Sequence, residues 1–189
     1  EMHLSDVMNG LNMQMLIYML CIWDNGKERY GDVVPAGVLY VPAKNSGERL
    51  SRRADDNEVI KQKLKNGRMN GLILENEDVL KGMDALAQGI YVDAYIDKKG
   101  TLKGNFLSLN NFRRLHGRID EILISTAQDM HRGRIEALPV YCSGYERVCE
   151  YCEYADVCMR EDTDEVRKIP NMSHKEAVEF LLKEEAENG

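Results

Sequence analysis

Near the carboxyl end three cysteines stand close together, Cys149, Cys152 and Cys158, in the pattern C-x2-C-x5-C. No other stretch limits so sharply what this chain can fold into. Thiolates separated by two and by five residues in a short loop can converge on one metal centre. They are badly placed to bridge one another, because a disulfide needs Cα atoms roughly 4.4–6.8 Å apart with suitably directed Cβ vectors. The neighbouring Tyr145, Tyr151, Tyr154 and Val157 could screen such a centre from water. The expected occupant is a soft metal or an iron–sulfur cluster.

Three thiolates do not complete a four-coordinate site. Cys142 lies seven residues before Cys149, Cys21 is far away, and His116 and His131 sit on a long helical pattern. Zinc accepts both residue types and is normally tetrahedral in structural sites, whereas iron–sulfur clusters prefer four cysteines. The missing ligand is therefore Cys142 or lies outside this chain. An odd total of five cysteines, three of them clustered, suits a reducing compartment better than a disulfide scaffold. A cytoplasmic location is expected. So is excision from a longer polypeptide, since the first residue is Glu1.

With 189 residues, 43% of them hydrophobic and 30% charged, the chain has enough material for one domain with a real core. A formal charge of -7 argues against gripping nucleic acid over the whole surface but allows a local basic groove. No stretch reaches the roughly 18–20 apolar residues needed to cross a bilayer.

Ser5 is the expected N-cap of a first helix, with Asp6 in its first turn where the dipole favours a carboxylate. From Met13 to Trp23 only Gln14 is polar, which predicts a helix buried on nearly all sides and ended by Asn25-Gly26. Val33 to Val41 reads as a strand, Lys44 to Asp56 as a loop, and Asn57 to Lys65 and Glu77 to Met83 as short helices. Alternation from Ile90 to Ile96 predicts a half-buried strand, turned by Lys98-Lys99-Gly100. Ser108 caps the longest helix, with Phe112, Leu115, Ile119, Ile122, Thr126 and Met130 at helical spacing and Gly133 beyond its end. Ile135 to Tyr141 is extended, and Ser173 with Glu176 forms a capping box for a last helix.

Val7, Leu11, Gln14, Tyr18 and Ile22 fall on one stripe, so Gln14 is an amide in a core-facing row. Burying it unpaired would cost about 1–3 kcal/mol. The commoner explanation is a glutamine satisfying a neighbouring strand; the functional one is a Gln14–Tyr18 pair at an active-site wall. Asp120 in Gly117-Arg118-Ile119-Asp120 reads as a solvated helix carboxylate, and Arg52-Arg53 and Arg113-Arg114 as surface. His3 and His174, near the chain ends, carry no argument.

Taken together, Leu4 to Tyr18 resembles the Q-x-x-x-Y helix of PD-(D/E)xK nucleases, and more narrowly the nuclease domain of the B subunit in AddAB/RexAB-type bacterial ATP-dependent helicase–nucleases. The similarity runs through Pro35-Ala36-Gly37-Val38-Leu39-Tyr40, Asn70-Gly71-Leu72-Ile73-Leu74 and Ser108 to Phe112, and ends in the cysteine triplet. It implies an α/β chain: a partial restriction-endonuclease-like fold with an insertion and a C-terminal cysteine-rich loop. The segments would be 1–24 (the Q-x-x-x-Y helix), 33–133 (strands, insertion and long helix), 134–160 (cysteine loop) and 173–187 (terminal helix), all in one domain.

By that resemblance Cys149, Cys152 and Cys158 are three ligands of a [4Fe–4S] cluster. The fourth comes from upstream of the nuclease domain, and Cys142 is a spare thiol. Closing so long a loop through a cluster restricts the unfolded chain. In a chain lacking the fourth ligand the site would be empty or partly filled, with the loop after Tyr141 disordered or re-paired through Cys142. Gln14 and Tyr18 would be accessory catalytic residues. The family's metal-binding aspartate and acid–x–lysine element precede the Q-x-x-x-Y helix and are absent here, so the chain alone is expected to be inactive. The full protein would use Mg²⁺ and ATP, form a heterodimer with the A subunit of the helicase–nuclease, and act on double- and single-stranded DNA at double-strand breaks.

CRISPR-associated Cas4-like exonucleases end in a similar triplet, but the long insertion from Val33 to Gly133 favours the helicase–nuclease family. Cluster domains of radical enzymes add a cysteine shortly after the third, and none follows Cys158. A zinc-stabilised structural module is the remaining alternative, and it would lack the brown colour of an iron–sulfur protein.

Overall fold

The computed structural model describes residues 3–43, 56–141, 149, 152–161 and 163–188. They divide into two compact units.

The first unit holds residues 12–116 and is a small mixed α/β body. It begins with helix α2 (Gln14–Asn25), which follows a short α1 (Leu4–Met8) of the other unit. The sequence predicts one continuous helix here, started by Ser5; the chain breaks instead. Gly10 and Asn12 take left-handed φ values of 83° and 54°. Leu11 N donates to Asp6 O and Gly10 N to Val7 O, so Asn9-Gly10 closes α1 in a Schellman turn. Ser5 lies inside α1, buried, and caps nothing. Asn25-Gly26 ends α2 as predicted, with Gly26 right-handed (φ -81°) and its N–H on Ile22 O; a separate short α3 (Lys27–Tyr30) follows, ended by Gly31 at φ 75°.

β1 (Gly37–Tyr40) lies inside the predicted strand and pairs antiparallel with β2 (Asn70–Leu74). Between them comes α4 (Asp56–Asn66), close to its expected bounds; the predicted loop from Lys44 lies outside the described residues apart from Asp56. Gly71 sits opposite Leu39, and a Cβ there would fall on the Val38 carbonyl oxygen. The two backbones approach too closely for any other residue. α5 (Glu77–Met83) starts and ends as predicted, with Asn76 Oδ1 accepting from the backbone of Asp78 and Val79.

From Ile90 to Ile96 burial alternates as expected, with Val92 and Ala94 inside and Tyr91, Asp93 and Tyr95 outside. Regular pairing is shorter than the pattern suggests. Only β3 (Tyr95–Ile96) pairs with β4 (Leu102–Lys103), across a turn in which Asp97 Oδ1 accepts from Lys99 and Thr101. The N–H groups of Thr101 and Lys99 hold the Asp97 carboxyl below its ordinary range. β5 (Phe106–Leu107) then adds in parallel to β2, giving the order β1-β2-β5. Ile73, Leu80, Ala87, Val92 and Ala94 form one buried cluster beneath this framework.

α6 (Leu109–His131) begins where Ser108 Oγ accepts from Asn111 N, as the sequence predicts. Phe112 and Leu115 are buried within the first unit.

The second unit comprises residues 4–11 and 117–189. Here Ile119 is buried, but the predicted apolar stripe fades: Thr126 and Met130 are exposed. Gly133 (φ 72°) ends α6 by a Schellman turn, with Arg134 N on Asp129 O. The extended stretch yields only β6 (Val140–Tyr141), paired in parallel with β7 (Arg167–Lys168); α7 (Ala155–Cys158) lies between them. In the final α8 (His174–Asn188) the capping box forms as written. Ser173 N donates to Glu176 Oε2 at 2.8 Å and Glu176 N to Ser173 Oγ at 3.3 Å. Ala177 and Leu181 are buried while Phe180 stays part-exposed, so the inward face is narrower than predicted.

Candidate functional site

Two places carry the chemistry that the sequence points to, one in each unit. In the first, Gln14 opens α2 and Tyr18 follows one turn later, which brings their side chains together. Gln14 Nε2 donates to Tyr18 Oη at 2.8 Å. The pair exists, but it is not in a core-facing row: Gln14 and Tyr18 are exposed, with Ile22 and Met15 beside them. Only Leu16 and Leu20 of α2 are buried, which also overturns the expectation of a helix buried on nearly all sides. An exposed amide satisfied by a phenol has no need of a neighbouring strand.

The outer face of α2 and the extended chain from Val33 to Leu39 enclose a groove of ≈ 410 Å³. Met15, Tyr18, Met19, Ile22 and Trp23 form one wall, and the run through Pro35 and Gly37 forms the other. The lining is mostly apolar. Sequence reasoning missed this groove, although a signal existed. One core covers one face of a surface helix, so a helix apolar on both faces needs a second cover. Behind the groove, His116 Nε2 lies 3.1 Å from Asp24 Oδ2, and its ring stands 6.0 Å from that of Trp23. His116, one of the candidate ligands, is thus engaged by a carboxylate on α2.

The second place is the cysteine loop. Cys152 N donates to Cys149 O (3.4 Å), Ala155 N to Cys152 O (3.1 Å) and Cys158 N to Tyr154 O (2.8 Å). Successive turns therefore carry the three thiols, and Met159 leaves α7 in a left-handed conformation (φ 54°). Cys149, Cys152 and Cys158 are all exposed and unbridged, while the loop after Tyr141, expected to be disordered or re-paired through Cys142, lies outside the described residues up to Cys149. Cys142, Tyr145 and Tyr151 lie outside the described residues. Tyr154 and Val157 point to solvent rather than covering the sulfurs.

Among the described residues, no three His, Cys, Asp or Glu side chains come together closely enough to hold a metal ion. The donor set nonetheless suits a soft centre: three free thiols, on adjacent turns, open to an incoming ion.

Of the other candidates, Asp120, Arg113 and His131 are exposed on α6, and Cys21 is exposed on α2. Arg52-Arg53 lies outside the described residues. Among the described residues no helix is long and apolar enough to cross a membrane.

Residues 1–159 match the PD-(D/E)XK nuclease superfamily, a span that takes in both the Gln14–Tyr18 pair and the cysteine triplet. The chain is also similar, along its whole length, to the B subunit of the ATP-dependent helicase/deoxyribonuclease of Thermoanaerobacter sp. (strain X514), at 31% identity over 196 residues. The protein of the same name in Caldanaerobacter subterraneus subsp. tengcongensis is 30% identical over 91% of this chain, and that of Clostridium acetobutylicum 28% over 98%. The chain spans 17% of the length of the Thermoanaerobacter protein and 15% of the Caldanaerobacter one.

Proposed function

Since this chain belongs to the PD-(D/E)XK nuclease superfamily, we propose that it is the C-terminal part of the nuclease domain of a bacterial helicase–nuclease B subunit. The whole protein would hydrolyse DNA phosphodiesters while processing double-strand breaks for recombination. It would work in the cytoplasm, with ATP and with the A subunit of the same helicase–nuclease. The observation that carries this reading is the Gln14–Tyr18 hydrogen bond, exposed at the rim of the α2 groove within the matched span.

In this reading Gln14 and Tyr18 orient rather than cut. The hydrogen bond between them fixes both side chains, so an amide and a phenol are presented together at one place on the helix. Such groups donate to phosphate oxygens, and the amide oxygen accepts from metal-bound water. Mg²⁺, when bound, would activate water and neutralise charge building on the phosphate. Neither an amide nor a phenol supplies the negative charge that holds the ion. The stretch by itself is therefore expected to be inactive, with the acids supplied elsewhere in the full-length protein.

Cys149, Cys152 and Cys158 are read as three thiolate ligands of a [4Fe–4S] cluster, on the strength of the family resemblance and the free, exposed thiols. The cluster would act as a cross-link that shortens the unfolded chain.

The test is a Mg²⁺-dependent nuclease assay on the full-length protein with its partner and on the 189-residue chain. Cutting by the former and none by the latter is expected. In the full-length protein Tyr18→Phe and Gln14→Ala should each lower turnover by about tenfold or more without loss of fold. Robust turnover by the isolated chain, or unchanged rates in both variants, would refute the assignment.

A further inference from the structure

The end of the cysteine loop inverts the usual order of side chains. Val157 and Met159, on either side of Cys158, are each 81% exposed, whereas Arg160, two residues past that thiol, is part-buried. Apolar groups stand in water here and the cation is withdrawn from it.

Arg160 is also held in place. Its Nη2 donates to Asp164 O at 3.3 Å, and Asp164 belongs to a turn closed on itself. Glu161 N donates to Asp164 Oδ2 at 2.8 Å, and Asp164 N to Glu161 O at 3.1 Å. One donor of the guanidinium is left over. Arg160 Nε is sealed from solvent and has no hydrogen-bond partner among the described residues. A sealed donor on a charged group is costly to leave unpaired, so an acceptor is expected there.

The charge pattern indicates what that acceptor is. Arg160 is the only Lys or Arg from Cys149 to Val166, and every other charged residue in that stretch, from Glu150 to Glu165, is a carboxylate. A centre bound by several thiolates is itself anionic, and neighbouring carboxylates oppose both its binding and its reduction. The one local charge of the opposite sign stands two residues from Cys158, with Cα atoms at most about 7 Å apart.

We propose that Arg160 serves the iron–sulfur centre read at Cys149, Cys152 and Cys158, its guanidinium offsetting the negative charge of the centre and its Nε–H donating to a sulfur. Reduction adds an electron to such a centre, and a fixed cation lowers the energy of the more negative state. Arg160 therefore raises the reduction potential. Arginine suits the task because its charge does not titrate away and its planar fork can hold Asp164 with one N–H while offering another. This inference deepens the cluster reading of the triplet and rests on it.

The experiment is a redox titration, followed by electron paramagnetic resonance, of the full-length wild type, Arg160→Gln and Arg160→Lys after anaerobic reconstitution with iron and sulfide. At a fixed potential the ratio of reduced to oxidised centre should be about tenfold lower in Arg160→Gln, a fall of about 59 mV for one electron. Arg160→Lys, which keeps the charge, should lower that ratio by less than about threefold. Should Arg160→Gln take up no iron, uptake by Arg160→Lys supports the proposal and failure of both overturns it. An unchanged potential in loaded Arg160→Gln, or an equal fall in Arg160→Lys, overturns it as well. Wild-type protein that takes up no iron and sulfide would instead sink the cluster reading, and this inference with it.

Discussion

The β1–β2 pair and the cysteine loop are both short, yet their notable residues stand in opposite surroundings. Around Gly71 the residue is dictated by what already surrounds it: the Val38 carbonyl occupies the space a side chain would need. Around Cys152 little surrounds the side chain, which is exposed and unbridged on a loop held by its own turns. One region is fixed by packing within the chain. The other has exposed thiols without packing, an arrangement that the proposed cluster would order on binding.

The comparison can be broken in four ways, and the first has the largest effect. Gly71→Ala should cost about 3 kcal/mol, because the clash is with backbone and cannot be relieved by a rotamer. Urea unfolding that shows a loss below about 1 kcal/mol would mean the ladder has slack. Next in size is the cap of α8, an intermediate case in which exposed side chains are nonetheless fully engaged. Ser173→Ala should cost about 1 kcal/mol in the same measurement.

That cap also carries a pH signature. The hydroxyl and N–H of Ser173 hold the Glu176 carboxyl below its ordinary range. Its folded value is depressed, so its contribution is complete above the ordinary glutamate range and is lost as pH falls through the folded value. Glu176→Gln should therefore lower the melting temperature at neutral pH and converge with the wild type in acid. A constant gap across that range would show that the carboxylate charge is not what the cap uses.

The smallest stability effect belongs to the loop. Cys152→Ser should change the unfolding free energy of the metal-free chain by less than about 0.5 kcal/mol. On the proposed ligand set, the same variant of the full-length protein should abolish iron and sulfide uptake on anaerobic reconstitution, since a hydroxyl does not replace the thiolate. A large stability loss without iron would place Cys152 in the packing of the fold, and unchanged iron uptake would remove it from the ligand set.

Much of the local architecture was legible in the residues. Ser108 before α6, Gly133 after it and the Ser173–Glu176 box all act over a few residues, so their hydrogen bonds follow from spacing alone. The Gln14–Tyr18 bond is of the same kind. Asn9-Gly10 is the local signal that the pattern hides, because apolar residues continue on both sides of it. A left-handed glycine ends α1 regardless. By contrast, Gly26 ends α2 as expected but in a right-handed turn, from which α3 follows directly. The dipeptide permits a left-handed residue without requiring one.

What the sequence determined by itself is the placement of caps and turns, together with the nuclease family that its motifs resemble. Each depends on neighbours a few positions away, where covalent geometry fixes the distance. The tertiary structure alone decided that Gln14 and Tyr18 look outward, that β5 joins β2 in parallel, and that the apolar face of α2 borders an open groove. Those outcomes depend on which distant segments cover which surfaces. Hydrophobicity states only that a face seeks cover, being without direction, and leaves the choice of partner to the fold.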